Sequence, residues 1–342
     1  MPAQTTRLSL CLVVHGGFPT ENPYDLIREL AQLADRSGFY SLLIEDHFDL
    51  PDKEIRACEG DPMIHQSVEA WTTLSSIATW TQKIIMGTEV TPIPLRHPAI
   101  LAKNVTTVDV LSKGRVILGA GVGWNRSEFE SFGIPFLKYE TRFEQMDEAI
   151  EIMKRLWTEP VVNYAGKHYK LKDARLAPKP VQKPHPPIWF GGFSDRLLEA
   201  VAKHGNGWIH GTNVSPEKIK SDYDRLRQIS QKHGRNVDEI EVVAPFMCHV
   251  ARDKEQARKS IERYVERGQL GDIKAGGLGK HFDEGTRLYS IWGTPRDCIE
   301  KIERYAAATG VRHFVLDIRP ATIALETVQL LSDEVVPHFQ RK

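Results

Sequence analysis

An acidic residue and an imidazole stand side by side directly after a predicted strand, as Asp46-His47 within the segment 45–48. A carboxylate beside a histidine can orient the imidazole or change its protonation, which suits general acid–base chemistry. The structural alternative is that Asp46 caps the next segment and that His47 is only a polar core residue. We favour the catalytic interpretation for both residues.

Three glycines at alternate positions, Gly119, Gly121 and Gly123, form a second candidate, and Trp124 follows them. The apolar run 115–118 before them predicts a buried parallel strand. Because glycine has no Cβ atom, a ligand can lie directly against the backbone there. A glycine-rich turn without a ligand is the open alternative. The spacing matches a nucleotide fingerprint only loosely, since no acidic residue follows a second strand about 20 residues later.

A third candidate, Gly191-Gly192-Phe193-Ser194, follows the predicted strand 188–190 and opens a helix. Free backbone N–H groups at the start of a helix, together with the helix dipole, bind anions. A plain turn into a helix would not need two adjacent glycines. We therefore expect a phosphate-binding site at this turn.

The elements that would position these residues repeat along the chain. Predicted strands begin at residues 8, 40, 84, 115, 187, 207, 240 and 311, and amphipathic helices lie between most of them. This alternation predicts βα units and a parallel sheet. Eight such units close more naturally as a barrel than as an open doubly wound sheet, which is the second choice. We predict an α/β protein with a (β/α)8, or TIM, barrel in a single domain over residues 1–342.

The candidate residues fall at the carboxyl ends of the predicted strands, where barrel enzymes place their active sites. The strand ends that carry glycine, histidine or a carboxylate are His15-Gly16-Gly17, Asp46-His47, Glu89-Val90, Gly121–Gly123, Gly191-Gly192 and His210-Gly211. Two stretches interrupt the repeat and are expected as insertions in βα loops. They are 161–187, where the alternation predicts a hairpin, and the glycine-rich 268–285.

Composition excludes several classes of partner. Lys plus Arg and Asp plus Glu number 45 each, without a long run of one sign, which argues against nucleic-acid and membrane-surface binding. No apolar stretch is long enough to span a membrane, and the N-terminus lacks the pattern of a signal peptide. The four scattered cysteines favour neither a disulfide framework nor a zinc site. We expect a cytoplasmic protein that binds no metal.

The assembled motifs give the chain a family resemblance. It resembles the luciferase-like flavin- and deazaflavin-dependent oxidoreductases, and most of all the branch that uses the deazaflavin coenzyme F420. Four stretches carry the resemblance over most of the chain: ADRSGFYSLLIEDHF, MGTEVTPIPLRHPAILAKNVTTVDVLSKGRVILGAGVGWNRSEFESFGIPF, PKPVQKPHPPIWFGG and GTPRDCIEKIERYAAATGVRHFVL. It implies a barrel of the bacterial luciferase-like type, which agrees with the strand count.

The resemblance also implies roles for single residues. Asp46-His47 matches the pair near the reacting carbon of the deazaflavin ring, and Glu89-Val90 matches a bulge behind the ring that is often a cis peptide. The loop after the fourth predicted strand, residues 121–124, would lie along the cofactor. The turn at residues 191–194, called the glycine-pair turn below, would hold phosphate. The expected cofactor-binding residues are Asp46, His47, Glu89, Val90, Gly121, Val122, Gly123, Trp124, Gly191, Gly192, Phe193 and Ser194.

Trp124 marks a departure from one subgroup of the family. In the sugar-phosphate dehydrogenases a glutamate serves as an acid where Trp124 aligns, so we do not expect sugar-phosphate oxidation. The substrate pocket is expected to be more apolar instead. Arg96 and His97 have two equal interpretations, either contact with a ligand or a place in a solvated loop.

The leading hypothesis is an oxidoreductase that transfers a hydride between reduced F420 and a small organic substrate. His47 would give or take the proton, and Asp46 would set its protonation. The alternative is an FMN-dependent monooxygenase that uses O2 and reduced flavin from a partner reductase. A metal-dependent hydrolase that uses Asp46, His47 and His210 is a more distant alternative, as is a non-enzymatic ligand-binding barrel. A homodimer packed through the early helices would be usual for the family.

Overall fold

The computed structural model describes residues 5–12, 15–16, 18–19, 21–59, 66–269 and 288–340. Eight parallel strands form a closed sheet, which confirms the predicted barrel, and each begins within two residues of its predicted start. We number them β1 to β8 in chain order: Arg7–Leu12, Ser41–Ile44, Ile85–Thr88, Val116–Gly121, Ile188–Gly191, Gly207–Ile209, Glu241–Val250 and His313–Ile318. The sheet closes because β1 pairs with β8 and β4 pairs with β5.

Helices surround the sheet. Within the described ranges we number them α1 to α12: Pro23–Ser37, Asp52–Ala57, Ala70–Trp80, Pro98–Ser112, Arg126–Ser131, Tyr139–Thr158, Asp195–His204, Pro216–Lys232, Lys254–Gln269, Pro295–Thr309, Ala324–Leu330 and Val336–Gln340. Among these described helices, none combines the length and the apolar character that crossing a membrane requires.

Local sequence explains where the helices begin and end. The side chain of Asn22 accepts a hydrogen bond from the Tyr24 N–H, and Pro23 occupies the first position of α1. Gly38 ends that helix in the left-handed conformation, with φ +83°, which glycine adopts without strain. At α10, Thr294 and Asp297 form a capping box in which each side chain binds the other residue's N–H.

The middle layer of the barrel interior is apolar. Its residues come from alternate positions of the strands, as the two-residue period of a strand requires. They are Cys11, Leu43, Ile117, Trp189, Ile209, Val243 and Val315. The strand residues between them face outward and pack against the helices in the main hydrophobic core.

A polar layer lies beneath it, at the amino ends of the strands. Ser9 Oγ and His313 Nε2 are 2.8 Å apart, and Ser41 donates to Ser9 over 2.7 Å. His313 Nδ1 lies 3.0 Å from the Glu241 carboxylate. Ser9, Ser41 and His313 are buried, so hydrogen bonds within the layer replace those they would make to water.

The first predicted insertion is confirmed as a hairpin. Val162–Ala165 and Lys170–Ala174 pair antiparallel between α6 and β5. Most of the second, 268–285, lies outside the described residues, as does Gly17. Four further short strands accompany the barrel in the described part of the chain: Gln66–Ser67 pairs with His15–Gly16, Thr91–Pro92 pairs with β4, and Ile291–Gly293 pairs with β7.

Candidate active site

His47 lies at the carboxyl end of β2 and is bound by a carboxylate from α5. Its Nδ1 lies 3.1 Å from Glu128 Oε2, which also accepts from the Phe48 N–H over 3.2 Å. The Glu128 side chain is fully buried. Burial alone lowers the pKa of His47, but the hydrogen bond and charge of Glu128 outweigh it and raise the pKa above its ordinary value, with smaller contributions from Glu45 and Asp46.

Asp46 forms its hydrogen bonds with a different partner, and its charge is one of the smaller contributions to the pKa of His47. Both of its oxygens accept from Arg96, each over 2.8 Å, and Arg96 also donates to Glu69 over 2.6 Å. The Arg96 guanidinium lies 4.7 Å from the centre of the Phe48 ring. Arg96 is therefore the centre of an ion-pair network, and its side chain is only 9% exposed, so it does not belong to a solvated loop.

The glycines at the ends of β4 and β5 lie against the end of β3 and the residues after it. A Cβ atom on Gly121 or on Gly191 would come within 2.8 Å of the Val90 side chain, and one on Gly119 would clash with the Thr88 carbonyl oxygen. The Glu89–Val90 peptide is cis. The missing Cβ atoms thus make room for Val90 at two of these positions and for the Thr88 backbone at the third.

The loop after β4 brings Trp124 beside His47. Their ring centroids are 5.6 Å apart with nearly perpendicular planes, and Trp124 is 52% exposed. Gly123 has φ +79°, and a Cβ there would meet the Phe129 ring at 2.8 Å. The Val122 side chain packs against the main hydrophobic core, and its backbone carbonyl accepts a hydrogen bond from Arg142. Within this segment, Trp124 is thus the side chain that lies beside His47 at the mouth of the barrel, the opening at the carboxyl ends of the strands.

The glycine-pair turn opens α7 as predicted. Gly192 has φ +127°, and its carbonyl accepts from Trp208 Nε1 over 2.6 Å. Ser194 caps the helix by accepting from the Leu197 N–H, and the Tyr139 hydroxyl donates to it over 2.8 Å. The exposed Phe193 ring stands next to these donors. The serine hydroxyl and the first N–H groups of α7 are the donor set that a phosphate group needs.

His210, at the end of β6, serves its own ion-pair cluster. Its Nε2 lies 2.7 Å from Asp222, which also binds Lys218 and Arg225. Its Nδ1 accepts from the Gly211 N–H over 2.7 Å, so the proton lies on Nε2. Among the described residues, no three His, Cys, Asp or Glu side chains are arranged so that they could hold a metal ion, and the set Asp46, His47 and His210 is not assembled.

The sequence reasoning missed Asp317 and Arg319, which lie at the floor of the mouth. Asp317 at the end of β8 accepts from Arg319 Nε, with both oxygens at 3.0 Å, and Arg319 Nη2 also donates to Glu45 over 2.6 Å. An aspartate within the apolar run HFVLDI was the available signal, because a carboxylate at an inward strand position must have a partner. Glu128 had no comparable signal, since the helix that carries it is only 126–131.

A model of the luciferase-like monooxygenase family matches residues 6–313. The chain belongs to this family. It is 32% identical over 301 residues to the FMNH2-dependent dimethylsulfone monooxygenase of Pseudomonas putida, which covers 81% of this chain and 78% of that protein. Among solved structures, the monooxygenase RslO1 from Streptomyces bottropensis matches with a TM-score of 0.79 at 22% identity, covering 97% and 99% of the two chains. The coenzyme F420-dependent tetrahydromethanopterin reductase of Methanopyrus kandleri matches with 0.77 at 22%, covering 98% and 100%.

These relatives include one that is named as FMNH2-dependent and one that is named as coenzyme F420-dependent. Luciferase-like proteins are flavin- or deazaflavin-dependent oxidoreductases and monooxygenases, and their structures share the closed eight-stranded barrel found here. Membership of the luciferase-like family therefore establishes the reaction class, oxidation and reduction with a flavin-type cofactor.

Proposed function

We propose that the chain is a monooxygenase that uses reduced FMN and O2 to oxidise a small organic substrate. This is the second interpretation drawn from the sequence, and the observation that carries it is the similarity to the FMNH2-dependent dimethylsulfone monooxygenase over most of both chains. Hydride transfer with F420 is the other candidate, supported by the fold of the tetrahydromethanopterin reductase at lower identity.

The residues at the mouth fit FMN. The Ser194 hydroxyl and the start of α7 offer hydrogen-bond donors to its phosphate group, and Trp124 and Val90 offer apolar surface to its ring system. A phosphate site is expected for both candidate cofactors, so this turn supports a flavin-type cofactor without choosing between them. The bound cofactor supplies the redox chemistry.

His47 is the residue that we assign to proton transfer. Because a carboxylate is only an acceptor, Glu128 holds a proton on His47 Nδ1 and stabilises the charged imidazole. Trp124 covers one edge of this imidazole and limits its contact with water. The exposed aromatic side chains Trp124, Phe132 and Phe193 at the mouth favour a small substrate of low polarity.

The deciding experiment titrates the purified protein with FMN and with F420 and follows the absorbance of each cofactor. We then measure O2 consumption with reduced FMN from a separate flavin reductase, using small sulfones and related organic compounds as substrates. The proposal predicts FMN binding and substrate-dependent O2 consumption. Tight F420 binding without affinity for FMN would overturn it in favour of hydride transfer. The variant His47→Ala should still bind FMN but lose turnover by about 10²–10⁴-fold.

A further inference from the structure

Three carboxyl groups from three strands meet at the floor of the barrel mouth. Glu45 and Asp317 each follow a residue of the apolar middle layer by two positions, and Glu89 follows Ile85, which packs on that layer, by four. Side chains two or four positions apart on a strand point to the same side. The three carboxyl groups therefore form the uppermost inward-facing layer of the barrel, directly below the mouth.

Among the described residues, Arg319 supplies the guanidinium that binds this layer. Arg319 binds Asp317 through Nε and Nη2, and it binds Glu45 through Nη2. No hydrogen bond joins Arg319 to Glu89, and Glu89 Oε2 is buried without a partner. The Cys11 thiol lies against the Glu89 carboxyl as its remaining polar neighbour. An ionised Glu89 would leave a buried, unpaired oxygen close to the charges of Asp317 and Glu45, which is costly.

Glu89 is the group best placed to relieve that charge. Burial raises its pKa well above the ordinary range, and the charges of Asp317 and Glu45 raise it further, against smaller opposing effects of Cys11 and Arg319. Burial raises the pKa of Asp317 too, but only to about 6, because the charge and the hydrogen bonds of Arg319 oppose the effect. Within this layer, Glu89 is thus the carboxyl group on which a proton is most strongly favoured, because Arg319 is paired with the other two carboxylates.

We propose that Glu89 is a neutral carboxylic acid that donates a hydrogen bond from the barrel floor to an acceptor atom of the ligand at the mouth. A carboxylate can only accept, so the proton is what turns this position into a donor. The acceptor would be a carbonyl oxygen or an unprotonated ring nitrogen of a heteroaromatic ring. Glu89 directly precedes Val90, whose side chain lies against Gly121 and Gly191 and would offer apolar surface to the ring. The identity of that ligand rests on the proposed function.

Infrared spectroscopy of the protein without cofactor tests the protonation. The C=O stretch of a carboxylic acid, identified by its shift in D2O, should be present at pH 7 and lost in Glu89→Gln. The control Glu128→Gln removes another buried carboxyl of the mouth, which is bound to His47 as a carboxylate, and should keep the band. If the unsubstituted protein has no such band, or if Glu89→Gln retains it, the proposal is wrong whatever cofactor the protein binds.

Binding of FMN tests the donor role. Glutamine keeps a neutral donor, so Glu89→Gln should bind within a few-fold of the unsubstituted protein, whereas Glu89→Ala should bind about 10- to 100-fold more weakly. The affinity of the unsubstituted protein should also fall at alkaline pH, where Glu89 ionises, and that of Glu89→Gln should not. Equal affinity of all three proteins across pH would overturn the donor role.

The two proposals fail in different ways. If neither FMN nor F420 binds to the unsubstituted protein, the proposed function fails while the infrared result still decides whether Glu89 is protonated. Should Glu89→Ala not fold, as judged by circular dichroism, the pH dependence of Glu89→Gln against the unsubstituted protein decides the donor role. Because glutamine has the shape of a neutral glutamic acid, Glu89→Gln should unfold at the same urea concentration as the unsubstituted protein.

Discussion

The His47–Glu128 pair joins a partly exposed imidazole to a fully buried carboxylate. Such a carboxylate is held in place by what it accepts, and here the donors are His47 Nδ1 and the Phe48 N–H. The bond fixes the orientation of the ring and favours its charged form. Glu128 is thus a positioning residue, and its effect on His47 can be measured separately from any structural effect.

We predict that Glu128→Gln lowers the pKa of His47. Burial, which lowers that pKa, then acts without the opposing charge, so the pH profile of turnover and the NMR titration of His47 both move to lower pH. Because the pKa of His47 is raised in the folded state, its protonated form stabilises the fold below pH 6.5, and this stabilisation is lost as the pH rises through the folded-state pKa. The variant lacks this contribution and therefore also loses stability on the acid side. Glu130→Gln, an exposed position on the same helix, is the control. An unchanged His47 titration would contradict the assignment.

A second prediction concerns the space that Val90 occupies. Gly121→Ala places a Cβ atom within 2.8 Å of Val90 Cγ2 and should destabilise the protein by about 1–3 kcal/mol in urea unfolding. Val90→Ala removes that atom, so the double variant should recover most of the loss that Gly121→Ala causes. A coupling energy of zero in this double-mutant cycle would mean that Val90 is not the reason for glycine at position 121.

Residue types at the site were predictable from the sequence, whereas their pairing was not. Asp46 and His47 are adjacent, yet neighbouring residues at a strand end point to opposite sides, so they have separate partners. The partner of His47 lies 81 positions away. The spacing of the glycines was visible in the sequence, but the close approach of Val90 that Gly121 and Gly191 permit depends on tertiary structure.

At the scale of single elements, the phosphate site proposed at the start of α7 can be tested on its own. We predict that Ser194→Ala weakens FMN binding by about 10- to 100-fold, because the phosphate loses a hydroxyl donor, and leaves riboflavin binding nearly unchanged. Both affinities are measured by quenching of flavin fluorescence.

The control for this prediction separates phosphate binding from helix capping. Ser215 caps α8 as Ser194 caps α7, so each alanine variant should lose about 0.5–2 kcal/mol of stability. Only Ser194→Ala should change FMN affinity. An equal loss for FMN and riboflavin would show that the substitution disturbs the site in general and that the turn does not bind phosphate.

Element boundaries were predictable where a cap or a proline marks them. Pro98 begins α4, Gly38 ends α1, and Thr294-Pro295 begins α10, because each signal acts within one turn of helix. Strand β4 extended further than its apolar run, through Gly119 to Gly121. Pairing with β5 as far as Ala120, and with Thr91–Pro92 as far as Gly121, decides that extent, and such pairing leaves no local pattern.

For the molecule as a whole, the barrel interior has an apolar middle layer between two polar layers. The lower polar layer, with Ser9 and His313, is closed by hydrogen bonds within itself. The upper layer has a buried carboxyl oxygen on Glu89 without a partner, and His249 near it has Nε2 in the same state. Satisfied polar groups at one end serve stability, and unsatisfied ones at the other end mark the end that binds ligands.

Buried neutral histidines in both regions make stability depend on pH. Burial lowers the pKa of His249 from 6.5 to about 3, and the charge of Arg319 adds to this effect. Burial also lowers the pKa of His313, although Glu241 partly opposes it. Each histidine therefore gains a proton only on unfolding as the pH falls below 6.5, so its contribution to stability is complete above that pH and is lost toward the folded-state pKa. Asp317, whose pKa is raised to about 6, has the opposite effect on stability as the pH falls. The pH dependence of stability that comes from one histidine is therefore best measured by substituting that histidine.

We predict that His249→Gln reduces the loss of stability between pH 7.5 and pH 5. One proton taken up on unfolding changes the free energy of unfolding by about 1.4 kcal/mol per pH unit, so the loss should be about 2 kcal/mol smaller in the variant. Urea unfolding at several pH values gives this difference directly, and any uniform change in stability from losing the Ser260 contact cancels in it. Parallel stability curves for the two proteins would mean that His249 is already protonated in the folded state, and Arg319 would then face a second cation in the floor of the mouth.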